Sequence, residues 1–206
     1  MTLLQNEALR SRIGNENLEQ RLIVVPLLQE SQIGEASIDL RLGSEFIEAR
    51  RRSEEAIDPF RDETLSTVGE DRYEIPFGEH LVIHPGQFLL GATFEFIRLP
   101  RDIGGQVLGR SSWGRFGLVV ATAVTVQPGF RGCLTLELQN LGTVPMRLYP
   151  GLRIAQLVLW TTEAPLESEL SLDPPPLGPV SRKLGWTQDE LDRLKLVHRG
   201  IAGNDP

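Results

Sequence analysis

The chain has one cysteine and three histidines among its 206 residues, and these two shortages exclude several kinds of chemistry. A lone cysteine, Cys133, cannot form an intramolecular disulfide, so no disulfide framework holds this fold together. Zinc-dependent deamination needs HxE and PCxxC motifs, and the isolated His80, His84 and His198 cannot supply them. We therefore expect no metal site built from protein ligands, and we interpret His84, in HPGQ, as a turn residue.

Long apolar runs and basic clusters are also missing. No run approaches the roughly 18 apolar residues of a transmembrane helix, and the N-terminal MTLLQNEALRSR lacks the basic start and apolar core of a signal peptide. The net charge is −7, and Arg50, Arg51 and Arg52 form the one notable basic cluster. We predict a cytoplasmic protein that binds neither membranes nor nucleic acid.

Short apolar runs with proline and glycine between them make up most of the chain. In ASIDLRLGSEF, apolar and polar residues alternate, which predicts a half-buried strand that ends at Gly43. Helical spacing occurs near the ends, at Leu3 to Ile13 and after a capping box at Thr187. This pattern predicts a mainly β fold, a distorted β-barrel or jelly-roll-like sandwich with short terminal helices. Residues 1–160 would form the barrel with its N-terminal helix, and residues 161–206 an extended segment and helix of the same domain.

The segment GRSSWGR, from Gly109 to Arg115, is rich in groups that bind phosphate. Serine hydroxyls, guanidinium groups and free backbone N–H groups are the donors that a polyphosphate requires. The alternative is an ordinary surface loop, because most loops of this composition bind nothing. The segment lacks the GxxxxGK[ST] spacing of a P-loop, and no GxGxxG follows a strand elsewhere.

A second candidate region is the strand pattern of CLTLELQ, residues 133–139. Its three leucines share one face, and Thr135, Glu137 and Gln139 share the other. That polar face is either the solvent-exposed face of a sheet or the wall of a pocket, and the sequence pattern is compatible with both. In a pocket, Glu137 would be a candidate proton shuttle. No GxSxG elbow supports a Ser-His-Asp triad.

These segments together resemble the dCTP deaminase family of the trimeric dUTPase-like superfamily. The similarity runs from about Ala36 to Trp160 and includes ASIDLRLGSEF, LVIHPGQFLLGATFEFIRLP, GRSSWGRFGLVV, PGFRGCLTLELQN and YPGLRIAQL, in the family's order. The resemblance implies a distorted β-barrel that assembles as a homotrimer, with active sites between subunits.

The resemblance also implies a role for each matching residue. Glu137 stands at the position of the catalytic glutamate, and Ser111 and Arg115 would lie near the reacting water as well as the triphosphate. The backbone around Ala123 would meet the pyrimidine from a neighbouring subunit. The remaining implied nucleotide-binding residues are Arg110 and Ser112 at the triphosphate, Thr135 and Leu136 at the base, and Gln156 in RIAQL.

Two departures from the family pattern affect these expectations. Gln127 stands where the family usually has an aspartate that contacts the deoxyribose 3′-hydroxyl, and an amide can hydrogen-bond that hydroxyl but cannot act as a base. The C-terminal segment that closes over the triphosphate lacks its usual tyrosine and glutamine. Its GPVSR piece is retained, so Arg182 and Lys183 are candidate substitutes as phosphate ligands.

The resemblance predicts hydrolytic deamination of dCTP to dUTP and ammonia, with Glu137 as general acid and base and no catalytic metal. Magnesium would accompany the triphosphate rather than occupy a protein site. Two alternatives stay open. One is a dUTP pyrophosphatase, which Gln127 and the absence of a glycine-rich C-terminal motif disfavour. The other is a nucleotide-binding regulatory protein that has lost turnover, which the altered C-terminal segment and Gln127 both allow.

Overall fold

The computed structural model describes residues 1–50, 69–121, 125–165, 174–181 and 192. The chain divides into two compact units. The first consists of Met1–Glu48 and Arg72–Val180, and the second of Ala49–Asp71 and Ser181–Pro206. The candidate site described below lies in the first unit. The predicted helix after Thr187 lies outside the described residues, as do Ala123, Arg182 and Lys183.

The described part of the chain consists mainly of short strands. Its helices are α1 (Asn6–Ile13), the single-turn helix α2 (Ser111–Gly114) and a 3-10 helix at Glu30–Gln32. The strands are β1 (Thr2–Leu3), β2 (Ile23–Val25), β3 (Ile38–Arg50), β4 (Gly69–Glu74), β5 (Leu81–Ile83), β6 (Phe88–Arg98), β7 (Ile103–Gly109), β8 (Leu118–Val120), β9 (Thr125–Val126), β10 (Arg131–Asn140), β11 (Met146–Leu148) and β12 (Arg153–Thr161).

Ten of these strands form one sheet, which curls into half a barrel. The central path runs β8-β10-β6-β3-β12-β7-β9, with β1 beside β12, β2 beside β6 and β4 beside β3. β5 and β11 pair separately. The described strand pairs whose register is defined are antiparallel. Antiparallel pairing is the geometry expected of short strands joined by tight turns. The prediction of a mainly β fold with few helices is therefore confirmed.

The core is formed by buried apolar side chains from most of the strands of the sheet. Leu136 and Leu138 of β10 have no exposed surface, and Leu134 is also buried. Thr135, Glu137 and Gln139 alternate with them and stay partly exposed, as the period of two predicts. Burial of each leucine contributes about 1.5–3 kcal/mol of hydrophobic stabilisation, so the register of β10 is strongly specified.

Two sequence expectations need correction. Gly43 does not end its strand, because β3 continues from Ile38 to Arg50. The pairing of β3 with β6 shifts register between Leu42 and Phe46, and a Cβ on Gly43 would lie 3.1 Å from the Ala92 carbonyl oxygen. Glycine thus permits a close approach at a bulge within the strand. At the N-terminus, Leu3 belongs to β1, and the helix begins only at Asn6.

The turn predicted around His84 is present. The Gln87 N–H donates to the His84 carbonyl oxygen at 3.0 Å, and Gly86 has a φ of 78°. That positive φ favours glycine, which turns the chain from β5 into β6. In the described residues, no helix is long and apolar enough to cross a membrane.

Candidate active site

The GRSSWGR segment is attached to β12 at two points. Its first residue ends β7, and the Arg110 N–H then donates to the Ile154 carbonyl oxygen at 3.0 Å. The Trp113 indole N–H donates to the Arg153 carbonyl oxygen, also at 3.0 Å. These two bonds hold the single turn of α2 against the neighbouring strand, so the segment has a defined place on the sheet.

The side chains that the segment offers to a ligand are exposed. Ser111, Ser112 and Arg115 are all solvent-accessible, and none of them forms a side-chain hydrogen bond or ion pair with another described residue. Two hydroxyls and a guanidinium are therefore available on one turn of chain, which suits an anionic ligand.

Arg110 differs from these residues because its guanidinium already has a partner. Its Nη1 lies 3.1 Å from Oδ2 of Asp39, and Nη1 of Arg153 lies 3.2 Å from the same oxygen. The other oxygen, Oδ1, accepts a hydrogen bond of 3.1 Å from Nε2 of Gln156. Asp39 thus connects two predicted nucleotide-binding residues, Arg110 and Gln156.

Strand register explains how Asp39 reaches these partners. Asp39 lies opposite Gln156 in the pairing of β3 with β12, and Ala155 of β12 lies opposite Gly109 of β7. Three adjacent strands therefore supply the carboxylate, the amide and the guanidinium of Arg110. The Asp39 side chain is 10% exposed, compared with 30% for Arg110. The carboxylate is consequently the buried partner, and the Arg110 guanidinium is the part open to solvent.

Glu137 lies on the polar face of β10. The backbone there is fixed on both sides, because Glu137 is opposite Leu90 of β6 and its carbonyl oxygen accepts a 2.8 Å hydrogen bond from the Ala121 N–H. Its carboxylate makes no hydrogen bond or ion pair with the other described residues. A half-buried carboxylate without such a partner can accept a proton from a bound water.

Part of the C-terminal segment lies along the same strand. The Cys133 N–H donates to the Pro176 carbonyl oxygen at 2.7 Å, and the Val180 N–H donates to Oγ1 of Thr135 at 3.0 Å. The GPV piece therefore lies against β10, two residues along the strand from Glu137. Thr135 is held by this contact, whereas the Leu136 side chain is fully buried. Only the backbone of Leu136 can therefore meet a ligand.

The β8 strand connects the two candidate regions. Val120 lies opposite Leu138 of β10, and a Cβ on Gly109 would lie 3.6 Å from the Val120 Cβ. No side-chain hydrogen bond or ion pair among the described residues joins Glu137 directly to Ser111 or Arg115.

Gln127 is exposed, immediately after β9, and its carbonyl oxygen accepts the Phe130 N–H at 3.1 Å in the turn before β10.

A second ion pair on β3 is sealed inside the protein. Arg41, two residues after Asp39, places Nη1 3.3 Å from Oε1 of Glu95, and its backbone N–H donates to Oε2 at 2.8 Å. Gln32 adds a hydrogen bond of 3.1 Å. Burial raises the pKa of the Glu95 carboxyl above its ordinary value, and the bonds from Arg41 oppose that shift. The charged groups of this cluster are buried and cannot contact a ligand, so their role is structural.

Sequence reasoning missed Asp39 and Arg153. The alternation in the sequence predicts that Asp39 faces solvent, but β3 is central in the sheet and Asp39 is buried. The sequence carried no local signal for this, because it does not show which strands lie beside β3. Among the described residues, no group of three or more His, Cys, Asp or Glu side chains could hold a metal ion.

Comparison with known proteins identifies the family. A family model described as dCTP deaminase-like matches residues 3–162. A protein of Methanosphaera stadtmanae named "dCTP deaminase, dUMP-forming" is 38% identical over 184 residues, which cover 86% of this chain and 88% of that protein. A "dCTP deaminase" of Halorubrum lacusprofundi is 45% identical over 150 residues, covering 71% of this chain and 73% of the relative.

A solved structure is also similar. The 2′-deoxycytidine 5′-triphosphate deaminase of Agrobacterium tumefaciens superposes with a TM-score of 0.55 at 25% identity. The match covers 77% of this chain and 47% of that one. The motifs, the curled sheet and these similarities agree, and the chain belongs to the dCTP deaminase-like family.

Proposed function

We propose that this protein catalyses the hydrolytic deamination of dCTP. The observation that carries the proposal is Glu137, a carboxylate without a partner among the described residues, on the polar face of a strand whose other face is packed in the core. Two proteins similar to this chain are named dCTP deaminases. The GRSSWGR segment supplies exposed phosphate donors for the same substrate.

The chemistry needs one group that can both accept and donate a proton. Glu137 takes a proton from a water, and the water oxygen bonds to carbon 4 of the cytosine ring. The proton passes to ring nitrogen 3. Glu137 then takes the proton of the new hydroxyl group on carbon 4 and gives it to the amino group. The bond between carbon 4 and the amino nitrogen breaks as the oxygen on carbon 4 becomes a carbonyl, and ammonia leaves. General acid-base catalysis of this kind contributes about 10²–10⁴-fold, and positioning contributes the remainder.

The phosphate end of the site binds without reacting. Ser111, Ser112 and Arg115 donate to the triphosphate, and Arg110 and Gln156 approach it from the Asp39 cluster. Thr135, the Leu136 backbone and the chain around Ala123 contact the base, and Arg182 is a further candidate phosphate ligand. Magnesium travels with the triphosphate oxygens, which are the hard ligands that it prefers.

We also propose that the active form is a homotrimer. The support is the resemblance to the dCTP deaminase family, which implies a homotrimer with active sites between subunits. A site divided between two copies brings the Glu137 carboxylate and the Ser111–Arg115 side chains together across a subunit boundary. Light scattering should give three chains per particle, and a fully active monomer at micromolar concentration would exclude this assembly.

The proposed product is dUTP with its triphosphate intact. Release of pyrophosphate needs a base that activates water at phosphorus, and Gln127 offers an amide at the position where we expect one. A second candidate, deamination followed by pyrophosphate release, is favoured by relatives such as that of Methanosphaera stadtmanae, whose name specifies dUMP formation.

One assay tests the function and its product together. The purified protein is incubated with dCTP, and separately with dUTP, and ammonia and pyrophosphate are both measured. Ammonia without pyrophosphate supports the proposal, whereas both products in equal amounts indicate the dUMP-forming reaction. Pyrophosphate from dUTP alone would indicate a pyrophosphatase, and nucleotide binding without any product would indicate a regulatory protein.

A further inference from the structure

A single carboxylate, that of Asp39, accounts for the position of two candidate nucleotide ligands. Its Oδ2 lies 3.1 Å from Nη1 of Arg110, and its Oδ1 accepts the Gln156 amide at 3.1 Å. We propose that Asp39 is a positioning residue for the phosphate end of the substrate, and that Arg153 in turn holds Asp39. This inference rests on the proposed function and identifies residues to which the family resemblance gives no role.

The two arginines around Asp39 are bound differently. Arg153 uses Nη1 for Asp39 and Nη2 for Oγ of Ser31 at 3.1 Å, and Nη2 also donates to Gln29. Both terminal nitrogens of Arg153 are therefore committed to the protein. Arg110 contributes only Nη1 to Asp39, and its guanidinium carries further N–H donors that no other described residue accepts. Arg153 consequently holds Asp39 in place, and Arg110 is the guanidinium available to a ligand.

Both the charge of the Asp39 cluster and the burial of its side chains favour phosphate binding at Arg110. Two guanidinium groups share one carboxylate, so the cluster keeps one positive charge in excess. The side chains of Arg110, Arg153 and Asp39 are 30%, 24% and 10% exposed. The negative group is thus the most buried, and the excess positive charge faces outward, beside the exposed serines of α2. An approaching phosphate meets a guanidinium that is already oriented.

Orientation of this kind improves binding more than it improves the chemical step. An unanchored arginine loses side-chain freedom when a ligand immobilises it, whereas Asp39 restricts Arg110 beforehand. The reacting carbon of the base belongs to the other end of the nucleotide. Loss of Asp39 should therefore raise KM for dCTP and leave kcat nearly unchanged.

The test combines kinetics with direct binding. We expect Asp39→Asn, which keeps the shape and removes the charge, to raise KM for dCTP about tenfold while kcat stays within about twofold. The Kd of inorganic triphosphate, measured by calorimetry, should rise by the same factor. Asp102→Asn is the matched control, because it breaks another partly exposed ion pair, that with Arg12, without touching the site.

A double-mutant cycle separates positioning from general structural support. Asparagine keeps the oxygen that accepts the Gln156 amide, so the effect of Asp39→Asn should pass through Arg110. Asp39→Asn should then add no further weakening of triphosphate binding in an Arg110→Gln background. Additive effects, or an unchanged Kd in a folded Asp39→Asn protein, would overturn the inference. Asp39→Ser replaces Asp39→Asn if the latter does not fold.

The inference and the proposed function can fail separately. A wild-type protein that binds triphosphate but does not release ammonia from dCTP would refute the proposed function, and the binding cycle would still test Asp39. Normal deamination combined with an unchanged KM in Asp39→Asn would refute the role of Asp39 alone. A wild-type protein that deaminates dCTP but binds no inorganic triphosphate would refute the role of Asp39 in phosphate binding and leave the proposed function standing.

Discussion

The two ends of the candidate site are built in different ways. At the base end, Glu137 has a carboxylate without a partner among the described residues, on a strand that packed leucines hold in place. At the phosphate end, Arg110 belongs to a cluster of charges that three adjacent strands bring together. The comparison teaches that the carboxylate proposed to react has no partner among the described residues, whereas a guanidinium proposed to bind the substrate is oriented by the protein. Changes at the base end should therefore affect kcat, and changes at the phosphate end should affect binding.

The largest effect is expected at the base end. Glu137→Gln keeps the size and hydrogen-bonding capacity of the side chain but removes the proton acceptor. We expect kcat to fall by at least about 10²-fold, towards 10⁴-fold, while the Kd for dCTP changes little. Single-turnover measurement of ammonia together with calorimetric binding tests both parts. Turnover close to that of the wild type would place the proton shuttle at another residue.

A variant of the buried Arg41–Glu95 pair tests whether the two charge clusters on β3 have different roles. We expect this pair to stabilise the fold and the Asp39 cluster to support ligand binding. Arg41→Met leaves a buried carboxylate without its cation, and we expect a loss of about 3–5 kcal/mol in the free energy of unfolding. Chemical denaturation measures this loss. Asp39→Asn, two residues away, should cost much less stability because its cluster is more exposed.

The same variant has a pH dependence with a definite sign. Burial already raises the pKa of Glu95 in the folded protein, and removal of Arg41 should raise it further. Protonation removes the unpaired charge, so the variant should lose least stability at acidic pH and more as pH rises through the folded-state pKa of Glu95. Denaturation at several pH values measures the difference from wild type. A pH-independent difference would mean that Glu95 is not the group responsible.

Smaller effects are expected from the exposed donors of the phosphate end. Arg115→Ala and Ser111→Ala each remove a hydrogen bond to a charged oxygen, which is worth about 1.5–3 kcal/mol. Binding and turnover should weaken together, because the family resemblance implies that the two residues lie near both the triphosphate and the reacting water. Steady-state kinetics with dCTP and calorimetry with inorganic triphosphate separate the two components. Normal values for both variants would make GRSSWGR an ordinary surface loop.

The base end was easier to predict from the sequence than the phosphate end. Alternation in CLTLELQ is local, so the burial of Leu136 and the partial exposure of Glu137 follow directly from the period of a strand. The role of Asp39 depends on the register of β3 against β12, and that register joins residues more than a hundred positions apart. A local pattern contains no information on such a pairing.

Some predictions failed and others stayed open, for different physical reasons. Gly43 looked like a strand terminus because glycine often ends strands, yet β3 uses it for a close approach to β6. The roles of individual site residues remain predictions, because they were implied by resemblance and depend on a bound nucleotide. Glu137, Ser111 and Arg115 have the exposure that those roles need, whereas the Leu136 side chain does not.

The smallest expected effect tests Gln127, which follows β9 and is exposed. Its amide can hydrogen-bond the deoxyribose 3′-hydroxyl, but a neutral acceptor binds more weakly than a carboxylate, by about 1 kcal/mol. Gln127→Asp should therefore lower KM for dCTP by up to about fivefold and leave kcat for ammonia release unchanged. A carboxylate there is also a base beside the sugar, so the variant should release pyrophosphate slowly. Gln127→Asn is the control, since it shortens the side chain as aspartate does without adding charge, and it should release none. Rapid pyrophosphate release by the unmodified protein would show that another residue already acts as that base. In that event the difference between a binding end and a reacting end would not hold, because both ends would carry chemistry.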